Sequence, residues 1–444
     1  MQLPESRIGK FFASCLKYLT AAILVYIPLY PKFPFITIPG SSVAIRAEDF
    51  LILLTSFVFL GYFLSLKKKK LPPLSFQILV YLLVGFVSCL SAILITKNVS
   101  PLITFLHLFR RVEYMLVFFF VYYVGISGWL TRRFLFEMIL LPAVGVFLYG
   151  IAQIYFRAPV ISTMNAEFAK GVALTLQPGV QLSSTFAGHY DLAIYLAMIL
   201  AFLATLLSFT KRRLYWFGLL ASYIALIWLF TQAGSRIAIF GLTFSIGFVC
   251  LMRKKLALGA LLLSIIVASV FTSPNLLRRI NNIIKVFQTK TESVLVVHPV
   301  LAADENIGEV LADTALRPIQ QDVSTSIRFD VEWPRALRSF YKNPFLGTGY
   351  SSISLATDNE YLRALGETGI LGFLAFISIL IALGRGIYAR YQKAKSNLDK
   401  ILSLGALGVF AVFLISAIFL DVFEASKVAI LFWAFTGIAV STKS

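Results

Sequence analysis

Arginines and carboxylates stand where an otherwise apolar chain has little use for them. In PLITFLHLFRRVEYMLVFFFVYYVGI, Arg110 lies nine residues past Pro101. At about 1.5 Å per residue it sits roughly 13 Å into a membrane helix. Charges there cost on the order of 2.5–3.5 kcal/mol each, which makes them functional candidates by default. His107, Arg110, Arg111 and Tyr114 are expected on one helical face, with Glu113 three residues after Arg110. Two readings are open: an internal Arg–Glu pair that locks helix packing, or a buried cationic wall for an anionic ligand.

Other candidates lie farther along. Arg236, in TQAGSRIAIF, opens an apolar run; it is either a snorkelling anchor or a ligand-binding group. His189 and Asp191, in STFAGHYDLAIYL, stand at the outer end of another run, as a cap and solvated side chain or as a substrate contact. Arg328, Arg335 and Arg338 ride one expected helix, with Arg328 and Arg335 two turns apart. This is either a solvated basic face or a grip for a diphosphate, since guanidinium binds phosphate bidentately and stays charged. TDNEYLRALGETGILG, from Thr357, crowds Asp358, Asn359 and Glu360 at the threshold of a further apolar run. Thr357 and Glu360 match a capping box, so a short helix is expected to start there and run toward Gly366. Neither His107 nor His298 has partners at metal-ligand spacing, so neither a metal site nor a cofactor is expected.

The elements that must position these groups are membrane helices. Of the chain's 444 residues 59% are hydrophobic and only 14% charged, against about 45–50% and 25% in globular domains. A span needs about 20 largely apolar residues, and about twelve runs qualify. They lie near 12–31, 48–66, 74–96, 101–127, 134–156, 188–209, 214–231, 236–252, 256–272, 369–390, 401–420 and 426–441. The net charge of +19 does not indicate nucleic acid, because the basic residues cluster between apolar runs (KKKK at Lys67, RR at Arg132, KRR at Lys211, RKK at Arg253). Such clusters anchor cytoplasmic helix ends, and their alternation puts both termini inside. The first run, with no small-residue cleavage site after it, reads as a retained helix. Cys15, Cys89 and Cys250 all fall in apolar runs and staple no loop.

Three regions follow: residues 1–272 with nine spans, an external loop at 273–367, and residues 368–444 with three more. In the loop, SPNLLRRINNIIKVF from Ser273 is expected as an amphipathic surface helix. A less ordered middle from about Thr289 to Val323 precedes a second helix, SIRFDVEWPRALRSFYKNP, ended by a turn at Asn343-Pro344 and Gly347-x-Gly349.

The order of these features resembles the O-antigen ligase and polymerase family of bacterial envelope glycosyltransferases. The residues that carry the resemblance are Ser235-Arg236 opening a mid-chain span, then R-x-x-x-x-W-x-x-A (Arg328 to Ala336) and N-P-x-x-G-x-G (Asn343 to Gly349). D-N-E-Y-L…E-T-G-I-L-G (Asp358 to Gly372) completes the set. The resemblance implies an all-α, polytopic, GT-C-like fold in the bacterial inner membrane. It implies metal-independent transfer of a glycan from undecaprenyl pyrophosphate to an acceptor hydroxyl on the outer face, in surface polysaccharide or O-antigen assembly. Arg236 and Arg328 match the family's pyrophosphate-binding arginines. The family commonly has a histidine before the asparagine, where this chain has Asp358. Physically, pyrophosphate is a good leaving group that needs positive charge near it, and a carboxylate is the usual base in inverting sugar chemistry. The expected site is therefore Asp358, Arg236 and Arg328, with Arg110, Arg111, His189, Arg335, Asn359 and Glu360 contacting substrate. A transporter or flippase of lipid-linked sugars is the rival reading; such proteins usually show two related halves, and none are evident here.

Overall fold

A computed structural model describes residues 6–31, 34–37, 44–67, 69, 71–160, 174–176, 180–273, 277, 327–353 and 357–442. The expected surface helix after Ser273 and the segment from Thr289 to Val323 lie, but for Ser273 and Leu277, outside the described residues.

The chain is overwhelmingly helical because nearly every long apolar run can satisfy its backbone only within itself. The first half comprises α1 (Arg7–Leu29), α2 (Ala47–Ser65), α3 (Ser75–Ser91, extended by a π turn at Ala92–Thr96), α4 (Pro101–Gly125), α5 (Trp129–Leu140) and α6 (Pro142–Tyr155). Then come α7 (His189–Phe209), α8 (Arg213–Ala233), α9 (Arg236–Met252) and α10 (Leu256–Val270). A π turn at Arg328–Glu332 leads into α11 (Trp333–Lys342), followed by α12 (Glu360–Lys393), α13 (Asn397–Ser416) and α14 (Ser426–Val440). Strand content is slight: β1 (Pro34–Thr37) pairs antiparallel with β2 (Ala44–Arg46), and β3 (Pro159–Val160) with β4 (Leu174–Thr175).

Eight helical segments among the described residues are long and apolar enough to cross a membrane: α1, α2, α3, α5 with α6, α7, α8, α12 and α13. Helices α9, α10 and α14 are apolar but shorter. Helix α4 has the length, 25 residues, but carries Arg110, Arg111 and Glu113 in its middle.

Two helices form the centre. α14 is buried along its whole length and α7 from Leu192 nearly to its end, as expected for helices apolar on every side. Peripheral helices instead turn Phe57, Phe76, Leu79, Leu214 and Phe217 outward, each more than half exposed. Apolar surface on that scale is rare on a soluble monomer and suits lipid.

Small residues set the packing. Ser245 Oγ donates to Gly408 O at 2.8 Å, and Gly241 lies against Val412 and Ser416, so α9 and α13 run antiparallel. Gly437 packs on Phe118 and Val121, and Gly125 on Ser441, so α4 and α14 run parallel. The ends of the bundle are thereby defined. At one end lie the starts of α2, α4, α7, α9, α12 and α14, with the loop segment 343–353; the basic clusters lie at the other. Lys427, fully buried, ties the first end together by donating to Pro28 O, Tyr30 O and Thr185 O. Arg132, paired with Asp399 at 3.1 Å, ties the second.

Candidate active site

The opening of α12 is built differently from the expected capping box. Asn359 is the N-cap, its side chain accepting from Leu362 N at 2.9 Å. Thr357 Oγ1 is buried with no hydrogen bond among the described residues, and Glu360 Oε2 accepts instead from Phe423 N at 3.1 Å. The reason is a tertiary competitor. Asp421, in the connection between α13 and α14, accepts from Thr357 N at 2.9 Å and from Asp358 N and Asn359 N at 3.3 Å. Its fourth bond is to Arg363 Nη1 at 2.7 Å. Held this way, Asp358 adopts a left-handed backbone (φ 48°), which aspartate tolerates better than most residues.

The short helix and the span form one element broken at Gly369, whose φ of 66° and ψ of −170° suit only glycine. The break frees backbone groups, and the N-P-x-x-G-x-G segment takes them up. Ile370 N donates to Pro344 O at 2.8 Å, Gly349 N to Glu367 O at 2.8 Å and Thr348 N to Gly366 O at 3.1 Å. Gly347 and Gly349 also have positive φ, and a Cβ on Gly347 would meet the Glu367 backbone at 2.4 Å. This motif is therefore scaffolding: it seats the loop on α12 and on Ser88 of α3, whose Oγ donates to Leu346 O at 2.6 Å.

Arg328 and Asp358, thirty residues apart, lock together. Nε and Nη2 of Arg328 donate to Asp358 Oδ2 at 3.0 and 2.6 Å, and the Tyr190 hydroxyl also engages the guanidinium. His189, its ring tilted by 36° against that of Tyr190 with centroids 4.1 Å apart, stands at the same helix start. Burial pushes the Asp358 carboxyl above its ordinary value, with Arg328 opposing and the Asp421 charge adding to the rise. The Arg328 turn has π geometry, with Trp333 N donating back to Arg328 O, a distortion frequent at functional sites. Glu332 on this turn is raised from 4.5 to about 7, chiefly by burial and then by Asp358, with Arg328 opposing. Arg335 belongs to the same field, acting on Glu332 against that rise. Ala336 packs beneath, its carbonyl 2.8 Å from where a Cβ on Gly366 would sit.

The two neighbouring arginines of α4 part company. Arg111 turns into the cluster: it pairs with Glu367 at 3.1 Å and with Glu424, donates to Tyr81 Oη at 3.3 Å, and lies 3.9 Å over the Tyr350 ring. Arg110 turns to β2 and α2, donating to Ala44 O at 2.5 Å and facing Asp49 at 3.9 Å; it pairs with neither Glu113 nor the Arg328–Asp358 pair. It lines a separate cavity of about 420 Å³ with Asp49, Glu113 and apolar side chains of α2 and α4. Adjacent helical residues diverge by about 100°, so Arg110 and Arg111 reach different carboxylates. Glu424, though burial alone would raise it, is held below its ordinary value by Arg111, then Arg363, His107 and Arg110.

Arg236 opens α9, with Ser235 as N-cap accepting from Ala238 N at 3.3 Å. The α9–α13 register carries this start toward residues 417–420, and Glu360 N donates to Ala417 O there at 2.9 Å. Arg236 thus shares one end of the bundle with Asp358. Asn359 and Glu360 spend bonds on the scaffold, as cap and as acceptor for Phe423 N.

Sequence reasoning missed Asp421, Glu424, Arg363, Glu367, Tyr350 and Glu332. The signal available was FLDVFEASK, where two acids stand in a short turn between apolar runs on the arginine-bearing side. Among the described residues, no group of three His, Cys, Asp or Glu is disposed to hold a metal ion.

No curated protein matches the chain. A family described as O-antigen ligase does, over residues 222–377. That stretch begins in α8 and includes Arg236, Arg328, Asp358 and the N-P-x-x-G-x-G scaffold. Over that stretch, less than half of the chain, the protein is similar to the O-antigen ligase family, and its long apolar helices are those of a multi-helix membrane protein.

Proposed function

We propose that the protein moves a glycan from undecaprenyl pyrophosphate to an acceptor hydroxyl at the outer face of the cytoplasmic membrane. The observation that carries this reading is the Arg328–Asp358 pair, bonded through Nε and Nη2 at the bundle end where Arg236 opens α9. In the proposed reaction the acceptor oxygen forms a bond to the sugar's anomeric carbon as the bond to the diphosphate oxygen breaks. The hydroxyl proton passes to Asp358, whose Oδ2 is held by Arg328; burial raises its carboxyl above the ordinary value, which makes the carboxylate a stronger base. The departing diphosphate is stabilised by Arg236 and by Arg328 donors not spent on Asp358, since a guanidinium carries five. Arg111 supports the floor through Glu367 and Glu424. The orientation consistent with the basic clusters has twelve crossings, both termini cytoplasmic and this site outside. The acceptor is a glycan or a lipid, and the surroundings are membrane lipid; no nucleic acid takes part.

The test is transfer from a defined lipid-linked donor by the purified protein. Asp358→Asn and Arg236→Ala should abolish turnover with thermal unfolding retained, and chelator should change nothing. Full activity in both variants would remove the assigned site. Movement of intact donor across vesicles without its consumption would favour a flippase.

A further inference from the structure

Three polar atoms within four residues are buried yet have no hydrogen-bond partner among the described residues: Glu332 Oε2, Trp333 Nε1 and Arg335 Nη1. Buried polar atoms are bonded in the great majority of cases. Three together mark a place that suits a ligand offering the complementary pattern, one acceptor beside two donors. Neighbouring charge narrows the ligand class. The groups acting on Glu332 are Asp358 before α12, Arg328 on its own turn, Asp421 between α13 and α14, and Arg335 on α11. Arg328 is already paired with Asp358 and Arg363 with Asp421. Glu332 and Arg335 remain, one of each sign, and an acid beside the arginine opposes a phosphate dianion. A neutral polyol suits it. The Trp333 ring is packed between Phe329, with centroids 4.6 Å apart, and Phe419, at 6.1 Å, which fixes the direction of its N–H.

We propose that Glu332, Trp333 and Arg335 form the subsite that holds the acceptor sugar, presenting its attacking hydroxyl to Asp358. The inference rests on the transfer reading above and moves Arg335 from the diphosphate to the acceptor. Glu332 accepts from one sugar hydroxyl, while Trp333 Nε1 and Arg335 Nη1 donate to sugar oxygens. Because the Glu332 carboxyl is raised to about 7, its acceptor strength changes near neutrality: ionised above that pH it takes the hydroxyl better, protonated below it less well.

The experiment is a titration of acceptor against saturating lipid-linked donor, with the full-length protein, on either side of pH 7. Glu332→Gln and Trp333→Phe should each raise acceptor KM roughly tenfold, as expected for loss of one well-placed hydrogen bond, with kcat and donor KM little changed. In the wild type acceptor KM should fall as pH rises through neutrality, and Glu332→Gln should flatten that dependence. Arg335→Lys, which keeps the charge and loses the fork, should raise acceptor KM as well and covers the case of a misfolded tryptophan variant. Unchanged acceptor KM in these variants of an active enzyme, or a rise in donor KM instead, overturns the subsite alone. A wild type that transfers no glycan overturns the transfer reading and the subsite with it.

Discussion

Asp421→Asn tests whether the reacting turn is held from outside itself. Asp421 Oδ2 accepts from Thr357 N, Asp358 N and Arg363 Nη1, and Oδ1 from Asn359 N. Asparagine oriented to keep its oxygen at the Oδ2 position turns an amide N–H₂ toward the Asn359 N–H. One buried donor is then unsatisfied, which costs about 1–3 kcal/mol, and the charged bond to Arg363, worth about 1.5–3 kcal/mol, becomes a neutral one. A neutral bond keeps about 0.5–1.5 kcal/mol of that, so the total loss is roughly 2–4 kcal/mol. That loss falls on the turn that puts Asp358 against Arg328. Melting temperature in detergent should drop by several degrees, and transfer should fall even at temperatures where the variant stays folded. Asp358→Asn should behave differently, removing turnover with a smaller change in melting temperature, because the Asp421 bonds remain. If Asp421→Asn matches the wild type in both melting and transfer, the anchoring role is wrong.

Gly369→Ala should lower stability by about 3 kcal/mol or more, since it adds a side chain at positive φ. Its Cβ would sit 2.3 Å from Phe345 O, against backbone that cannot swing away; wild-type melting with the loop still protected from protease would refute this. Lys427→Met should destabilise by several kcal/mol because Pro28 O, Tyr30 O and Thr185 O lose their shared donor. The readout is thermal unfolding, and a more stable variant would mean that desolvating the ammonium outweighs those bonds.

Local chemistry made much of the molecule legible. Apolar run length is read directly as helix, because a backbone in lipid has no solvent partner and must bond to itself. Glycines at 347 and 349 announced a turn for a similarly local reason, their tolerance of positive φ, whereas the break at Gly369 emerged from the fold. The order of the arginine and D-N-E motifs pointed to one family before any contact was known. What depended on tertiary structure was which charge meets which. Arg110 and Arg111 are adjacent in the chain, yet α4's rotation sends one to Asp49 and the other to Glu367, 256 positions away. Arg328 read as a phosphate grip, and the fold shows it bonded to Asp358, a contact the sequence did not announce. Thr357 and Glu360 had the right spacing for a capping box, but Ala417 O takes the Glu360 N–H and Asp421 takes the Thr357 N–H. Periodicity is set by near neighbours and survives in the sequence; ion pairing is set by how the helices pack, and only the packed chain contains it.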